Sequence, residues 1–149
     1  MTTATAAAAA ASSYKNRPIR QPYISNALDV AGRAGLAAIF LISGLSKLGQ
    51  YAGTQGYMEA MGVPGALLPL VIAVEVLGGA AILAGAYTRW AAFVLAGFSV
   101  VSALIFHADF ADQVQGIMFW KNIAIAGGFL GYLVHGTGAW SVDRQLRKV

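Results

Sequence analysis

Cysteine is absent from the 149 residues. That excludes a CxxC redox pair, a disulfide framework, an iron–sulfur cluster and cysteine-bound zinc. Charge is scarce as well. Asp, Glu, Lys and Arg make up 11% of the chain, against about 25% in ordinary soluble domains. Neither GxGxxG nor GxxxxGK[ST] occurs, so nucleotide binding has no support. The GxSxG elbow of a serine hydrolase is missing too. What is abundant is apolar surface. Hydrophobic residues reach 58%, and mean hydropathy is +0.64. A small soluble domain cannot hide that much, because its surface-to-volume ratio is high. A bilayer can.

Four apolar stretches follow a distinct N-terminal region. Residues 1–26 start as an uncharged Ala/Thr/Ser run and then carry Lys15, Arg17 and Arg20 with Pro18 and Pro22. A secretory signal peptide places its basic residues before the apolar stretch, and here they come after it. The region reads as a flexible cytoplasmic tail. A cleaved organellar presequence is the alternative, since no acid precedes Asp29. Helices are expected at about 27–48, 64–87, 89–107 and 116–138, with a basic cytoplasmic tail at 143–149. A span needs about 20 apolar residues, and the first helix meets that length only if Arg33 or Lys47 snorkels to an interface. Lipid leaves unpaired backbone groups without partners, so spans must be helical. The fold class is therefore an all-α integral membrane protein, an antiparallel four-helix transmembrane bundle. In the connections, Asp109 and Asp112 are turn and capping candidates. Thr54–Met61 could form an interfacial turn with Tyr57, Met58 and Met61 toward the membrane.

Basic residues set the orientation. One side carries Lys15, Arg17, Arg20, Arg33, Arg89, Arg144, Arg147 and Lys148; the other has Lys47 and Lys121. Both termini are expected in the cytoplasm. The net charge of +4 is then a topology signal, and no nucleic-acid partner is implied. Small residues spaced four apart, including Gly127 and Gly131, suit close helix packing.

Polar residues inside the spans are the informative ones. Glu75 falls near the middle of the second span, where a carboxylate costs roughly 2.5–3.5 kcal/mol on insertion scales. It must be protonated, paired or hydrated, as structural glue or as a ligand or proton site. On a helical wheel it shares a face with Gly78, Gly79 and Ile82, and the glycines there are expected to leave room. Lys47, with Ser43 and Ser46 one turn earlier, either snorkels outward or turns in to Glu75. His107, Lys121 and Asn122 lie toward the same side. Lys47, Glu75, His107, Lys121 and Asn122 thus form one set of ligand or proton-site candidates, with Ser99 and Ser102 extending the lining. His107 and His135 fall at opposite ends of the bundle and cannot share a haem. No metal site is expected.

Four segments carry a family resemblance: GLAAIFLISGLSKL at Gly35–Leu48, MEAMGVPGALLPLVIAVEVLGGAAILAG at Met58–Gly85, TRWAAFVLAGFSVVSALIFHADF at Thr88–Phe110, and FWKNIAIAGGFLGYL at Phe119–Leu133. Taken in order, SGxxK, GVP…E..GG and KN….GG form a specific combination. The chain resembles the DoxX family of small four-helix bacterial inner-membrane proteins. The resemblance implies a multi-pass protein of the bacterial cytoplasmic membrane. It also implies links to quinone-dependent sulfur oxidation and to oxidative-stress assemblies. The family's recurring polar positions map onto Lys47, Glu75, His107, Lys121 and Asn122. Similar folds exchange thiols with quinone, which a chain without cysteine cannot do.

Three functions compete. The first is a membrane subunit of a quinone-linked redox system, in which Lys47, His107 or Lys121 donate to quinone carbonyls and Glu75 exchanges protons. It requires an electron-donating partner protein and carries no covalently bound cofactor. The second is a non-enzymatic anchor or scaffold for a partner protein. The third is a transporter or permeation path centred on Glu75, which four short helices would build only as a homo-oligomer.

Overall fold

A computed structural model describes residues 22–147. The reading of 1–26 as a tail lies mostly outside the described residues, and so does the end of the 143–149 segment. All regular elements of the described residues are helices. Helix α1 is Pro22–Gly49, α2 Tyr51–Ala60, α3 Leu68–Ala84, α4 Thr88–Phe106, α5 Gln113–His135 and α6 Val142–Leu146, with a 3-10 turn at Gly65–Leu67 before α3. Four of these segments, Tyr23–Gly49, Gly65–Ala84, Thr88–Phe106 and Gln113–His135, are long and apolar enough to cross a membrane. Helix α1 packs chiefly on α3 and α4 on α5, and the two pairs meet more lightly along α3 and α4.

The centre is built from small and aromatic residues. Ala37, Ala92, Leu95, Ile82 and Phe129 are fully buried. Phe40 packs its ring against Phe129 at 5.6 Å and Phe98 at 6.4 Å. Large apolar residues such as Ile42, Leu77, Phe93 and Leu130 point outward, as a lipid-facing surface requires. The glycines divide in two. At Gly44 an added Cβ would lie 2.7 Å from Val76 Cγ2, so this glycine lets α1 and α3 close up. Gly127 and Gly131 have open space around them, so their GxxxG spacing is not used within the bundle.

Helix boundaries shift where polar partners extend or stop the helix. α1 starts at Pro22 rather than near residue 27, and Asn26 in its first turns binds the far C-terminal segment. Asn26 Oδ1 accepts the Ala139 N–H at 3.1 Å. α3 ends at Ala84 because Gly85 adopts a left-handed φ of +67°. The Ala86 N–H then reaches Ala81 O at 2.9 Å and the Gly85 N–H reaches Ile82 O at 3.1 Å, the two bonds of a Schellman ending. α5 starts at Gln113 because Asp112 Oδ1 accepts the Val114 and Gln115 N–H groups at 2.7 and 3.3 Å. Asp109 makes the preceding turn by accepting the Ala111 N–H at 3.1 Å. Both loop aspartates thus act as their residue type suggests.

Two expectations about packing are corrected. The 51–60 helix does not lie with Met58 toward the membrane. Met58 is buried against Leu68 and Ile72, and Tyr57 stacks on Phe106 at 5.5 Å, because the turn at Gly62 folds α2 back over α3. The C-terminal segment is not simply a tail from residue 143. Ser141 caps the short helix α6 by accepting the Arg144 N–H at 3.3 Å.

Arg33 is the larger departure. It does not snorkel; it is 1% exposed. Its Nη1 donates to Leu83 O at 2.6 Å, its Nη2 to Trp140 O at 2.6 Å, and its Nε to Asp29 Oδ2 at 3.1 Å. Leu83 lies in the last turn of α3, whose carbonyls have no partner within the helix. One guanidinium therefore ties α1 to the end of α3 and to the C-terminal segment. The Asp143 carboxylate adds a second tie. It accepts the Tyr87 N–H at 2.7 Å and the Thr88 N–H at 2.9 Å, which holds Tyr87 in a left-handed conformation (φ +47°) that costs a non-glycine residue about 1–2 kcal/mol.

Candidate functional site

At the opposite end, the helices separate around a cavity of about 480 Å³ that is not sealed from the surroundings. Most of its wall is apolar: Phe40, Val71, Val74, Phe98, Val101 and Ile125 all contribute. Lys47, Glu75, His107, Lys121 and Asn122 all line it as well. Lys47 of α1, Glu75 of α3, Lys121 and Asn122 of α5, and His107 just after α4 thus meet at one space, as the antiparallel topology allows.

Within that set, only Lys47 and Glu75 touch. Lys47 Nζ lies 3.0 Å from Glu75 Oε1 and 2.8 Å from Oε2. The ammonium donates to Oε1, while Oε2 sits off the hydrogen-bond direction and accepts no hydrogen bond. Ser43 completes the cluster. It accepts from Lys47 Nζ at 2.6 Å and donates to Glu75 Oε1 at 3.1 Å. Ser43 stands one helical turn before Lys47, on the same face of α1, and that spacing is the sequence signal for it. Glu75 is 4% exposed, while the Lys47 side chain keeps 21% of its surface open. Lone charges in hydrocarbon are costly, and pairing two of them at the cavity wall lowers that cost.

The other three residues face the same space without bonding to the pair. His107 Nδ1 is 2.7 Å from Gln115 Oε1. Lys121 Nζ reaches Met118 Sδ at 3.0 Å, and Asn122 Nδ2 donates to Met118 O at 3.1 Å. Ser102 also lines the cavity. Ser99 does not. It is buried and its hydroxyl turns back to Leu95 O at 2.8 Å, the usual alternative for serine within a helix. Nor do Gly78 and Gly79 leave the room expected of them. An added Cβ at Gly78 would meet Leu95 at 2.9 Å, and one at Gly79 would meet Leu41 at 3.0 Å. These glycines admit neighbouring helices, and the cavity lies elsewhere on the Glu75 face. Thr54 and Tyr57 from α2 close part of the wall. Neither is among the expected site residues, because a helical wheel for α3 says nothing about where α2 folds, although the Gly49–Val63 segment is placed by topology where it could close over an entrance.

Comparison with known proteins agrees with the architecture. The DoxX family pattern matches residues 28–108. Inner membrane protein YqjF of Escherichia coli (strain K12) is 50% identical over 119 residues, covering 80% of this chain and 92% of the relative. Inner membrane protein YphA of the same organism is 37% identical over 125 residues, covering 79% and 89% respectively. No solved structure matches. With four membrane-length helices and inner-membrane relatives over most of its length, this is a multi-pass inner-membrane protein, and it belongs to the DoxX family.

Proposed function

We propose that the cavity binds a quinone headgroup and that the chain is the membrane subunit of a quinone-linked redox system. The observation that carries this reading is the Lys47–Glu75 pair in the wall of an open, largely apolar cavity. The residues fit the group. Phe40, Val71, Val74 and Phe98 offer apolar surface to a ring, and the volume falls in the range of about 300–1,000 Å³ usual for ligand sites. A few polar groups fix orientation. Lys47 and Lys121 stand on different helices and are donors for carbonyl oxygens on different sides of a ring. Glu75, already receiving Lys47 and Ser43, is the acceptor at the wall. A bound quinone supplies the two-electron acceptor, and a partner protein supplies the electrons. An anchor that only held a partner at the membrane would have no use for an open cavity beside a buried ion pair.

The same reading keeps both termini in the cytoplasm, so the cavity lies in the outer half of the membrane. A cysteine introduced at Gln55 should label from outside intact cells, and one at Gln145 should not; the reverse pattern inverts the orientation.

Solvent extraction of protein purified in mild detergent tests the function. The expected result is quinone near one per chain, with Lys47→Met lowering it severalfold. Protein free of quinone, and unable to take it up from mixed micelles, overturns the reading in favour of an anchor.

A further inference from the structure

A second concavity lies at the terminal end, far from the cavity. It measures about 90 Å³ and is lined by Arg89, His135, Gly136, Thr137, Asp143, Arg144 and Arg147. The volume holds about three waters at about 30 Å³ each, or one small anion. Three guanidiniums face one carboxylate, and that carboxylate is already engaged. Asp143 accepts the Tyr87 and Thr88 N–H groups. Burial works to raise its pKa, but the Thr88 and Tyr87 N–H bonds and the nearby Arg147 outweigh it and hold the pKa below the ordinary carboxylate value. Asp143 therefore stays ionised and stays with the backbone. Arg89 donates Nη2 to Val134 O at 3.1 Å. His135 Nδ1 lies 3.1 Å from Gly131 O. Among the described residues, Arg89, Arg144 and Arg147 form no ion pair.

We propose that this pocket holds the phosphate of an anionic phospholipid headgroup. Guanidinium is suited to phosphate because its planar donors can bind two oxygens at once. Depth favours a lipid over free phosphate. The pocket lies where α4 starts and α5 ends, beside Tyr87, Trp90 and Trp140, which are 74, 71 and 50% exposed. Exposed aromatics of this kind sit at the headgroup level. Further along the same helices, Phe93, Leu130 and Val134 present exposed apolar surface on which acyl chains can lie. Basic pockets between spans are a recurrent way of holding such headgroups. The site is independent of the cavity, so its success or failure does not bear on quinone binding.

Native mass spectrometry of the full chain in detergent tests it, with phosphatidylglycerol and phosphatidylcholine added in equal amounts. Wild type should retain one phosphatidylglycerol in clear preference to phosphatidylcholine. Arg144→Gln with Arg147→Gln should weaken retention by about thirtyfold, and Arg147→Gln alone by about fivefold. The single variant keeps the test open if the double variant fails to insert. Lysine at both positions should restore part of the preference. Equal retention of the two lipids, or an unchanged preference in the glutamine variants, overturns the proposal. Full displacement by excess inorganic phosphate would assign the pocket to a soluble anion and overturn the lipid assignment.

Discussion

Helix α1 carries two cations inside its span, Arg33 and Lys47, and their surroundings differ. Arg33 is closed off. Its donors reach two backbone carbonyls and one aspartate, and 1% of its surface is exposed. Lys47 is engaged only within α1 and across to Glu75, and it remains partly open to a cavity. Both arrangements answer the same cost, that of a charge in hydrocarbon. The first answers it by finishing helix ends, which locks the bundle. The second answers it by pairing across a space that can still admit something. A buried charge in a membrane bundle is therefore to be read together with the space beside it.

The contrast is sharpest for stability. Arg33→Met should leave Asp29 without its cation and the Leu83 and Trp140 carbonyls without their donor. Breaking a buried pair this way costs about 3–5 kcal/mol, so the variant should melt far below wild type in detergent. A small shift would mean that the terminal end is held some other way. The cavity pair should respond less and in a coupled manner. Glu75→Gln with Lys47 kept should cost more than Glu75→Gln with Lys47→Met, with a coupling energy of about 1–3 kcal/mol in a double-mutant cycle. Additive effects would mean that the two groups do not stabilise each other.

How much of this the sequence foretells depends on what each residue bonds. The four spans are legible from hydropathy, and the Lys47–Glu75 pair from the cost of a carboxylate in mid-bilayer. Arg33 is misread as a snorkelling residue because its partners are carbonyls of Leu83 and Trp140, and no side-chain pattern marks those. Gly78 and Gly79 are misread as the edge of a cavity. A helical wheel places them on the Glu75 face, but which neighbour fills the space, Leu95 or Leu41, is decided by helix packing. Ser99 and Ser102 lie three residues apart, and only the second lines the cavity. Met58 reads as membrane-facing until the turn at Gly62 brings α2 over α3.

The Asp143 cap should give a smaller effect than either charged pair, and a pH signature. Asp143→Asn should cost about 1 kcal/mol, the usual scale for a lost helix cap. Asp143 has a depressed pKa in the folded chain. Its contribution is therefore complete above the unfolded value of about 3.9 and is lost as pH falls from there through the lower folded value. Wild type should lose stability over that acid window, and the asparagine variant should lack this component. An identical acid profile in both would mean that Asp143 does not hold the α4 start.

Filling the cavity should affect stability least and bears most directly on its role. Val71 lines the space one turn before Glu75 and is half-buried. Quinone uptake and melting temperature should be measured together for wild type and Val71→Trp. Wild type should take up quinone near-stoichiometrically and the variant at least tenfold less, with the melting temperature unchanged or slightly raised. Equal uptake by the two proteins, or no uptake by wild type, would contradict the assignment of the cavity as a ligand site.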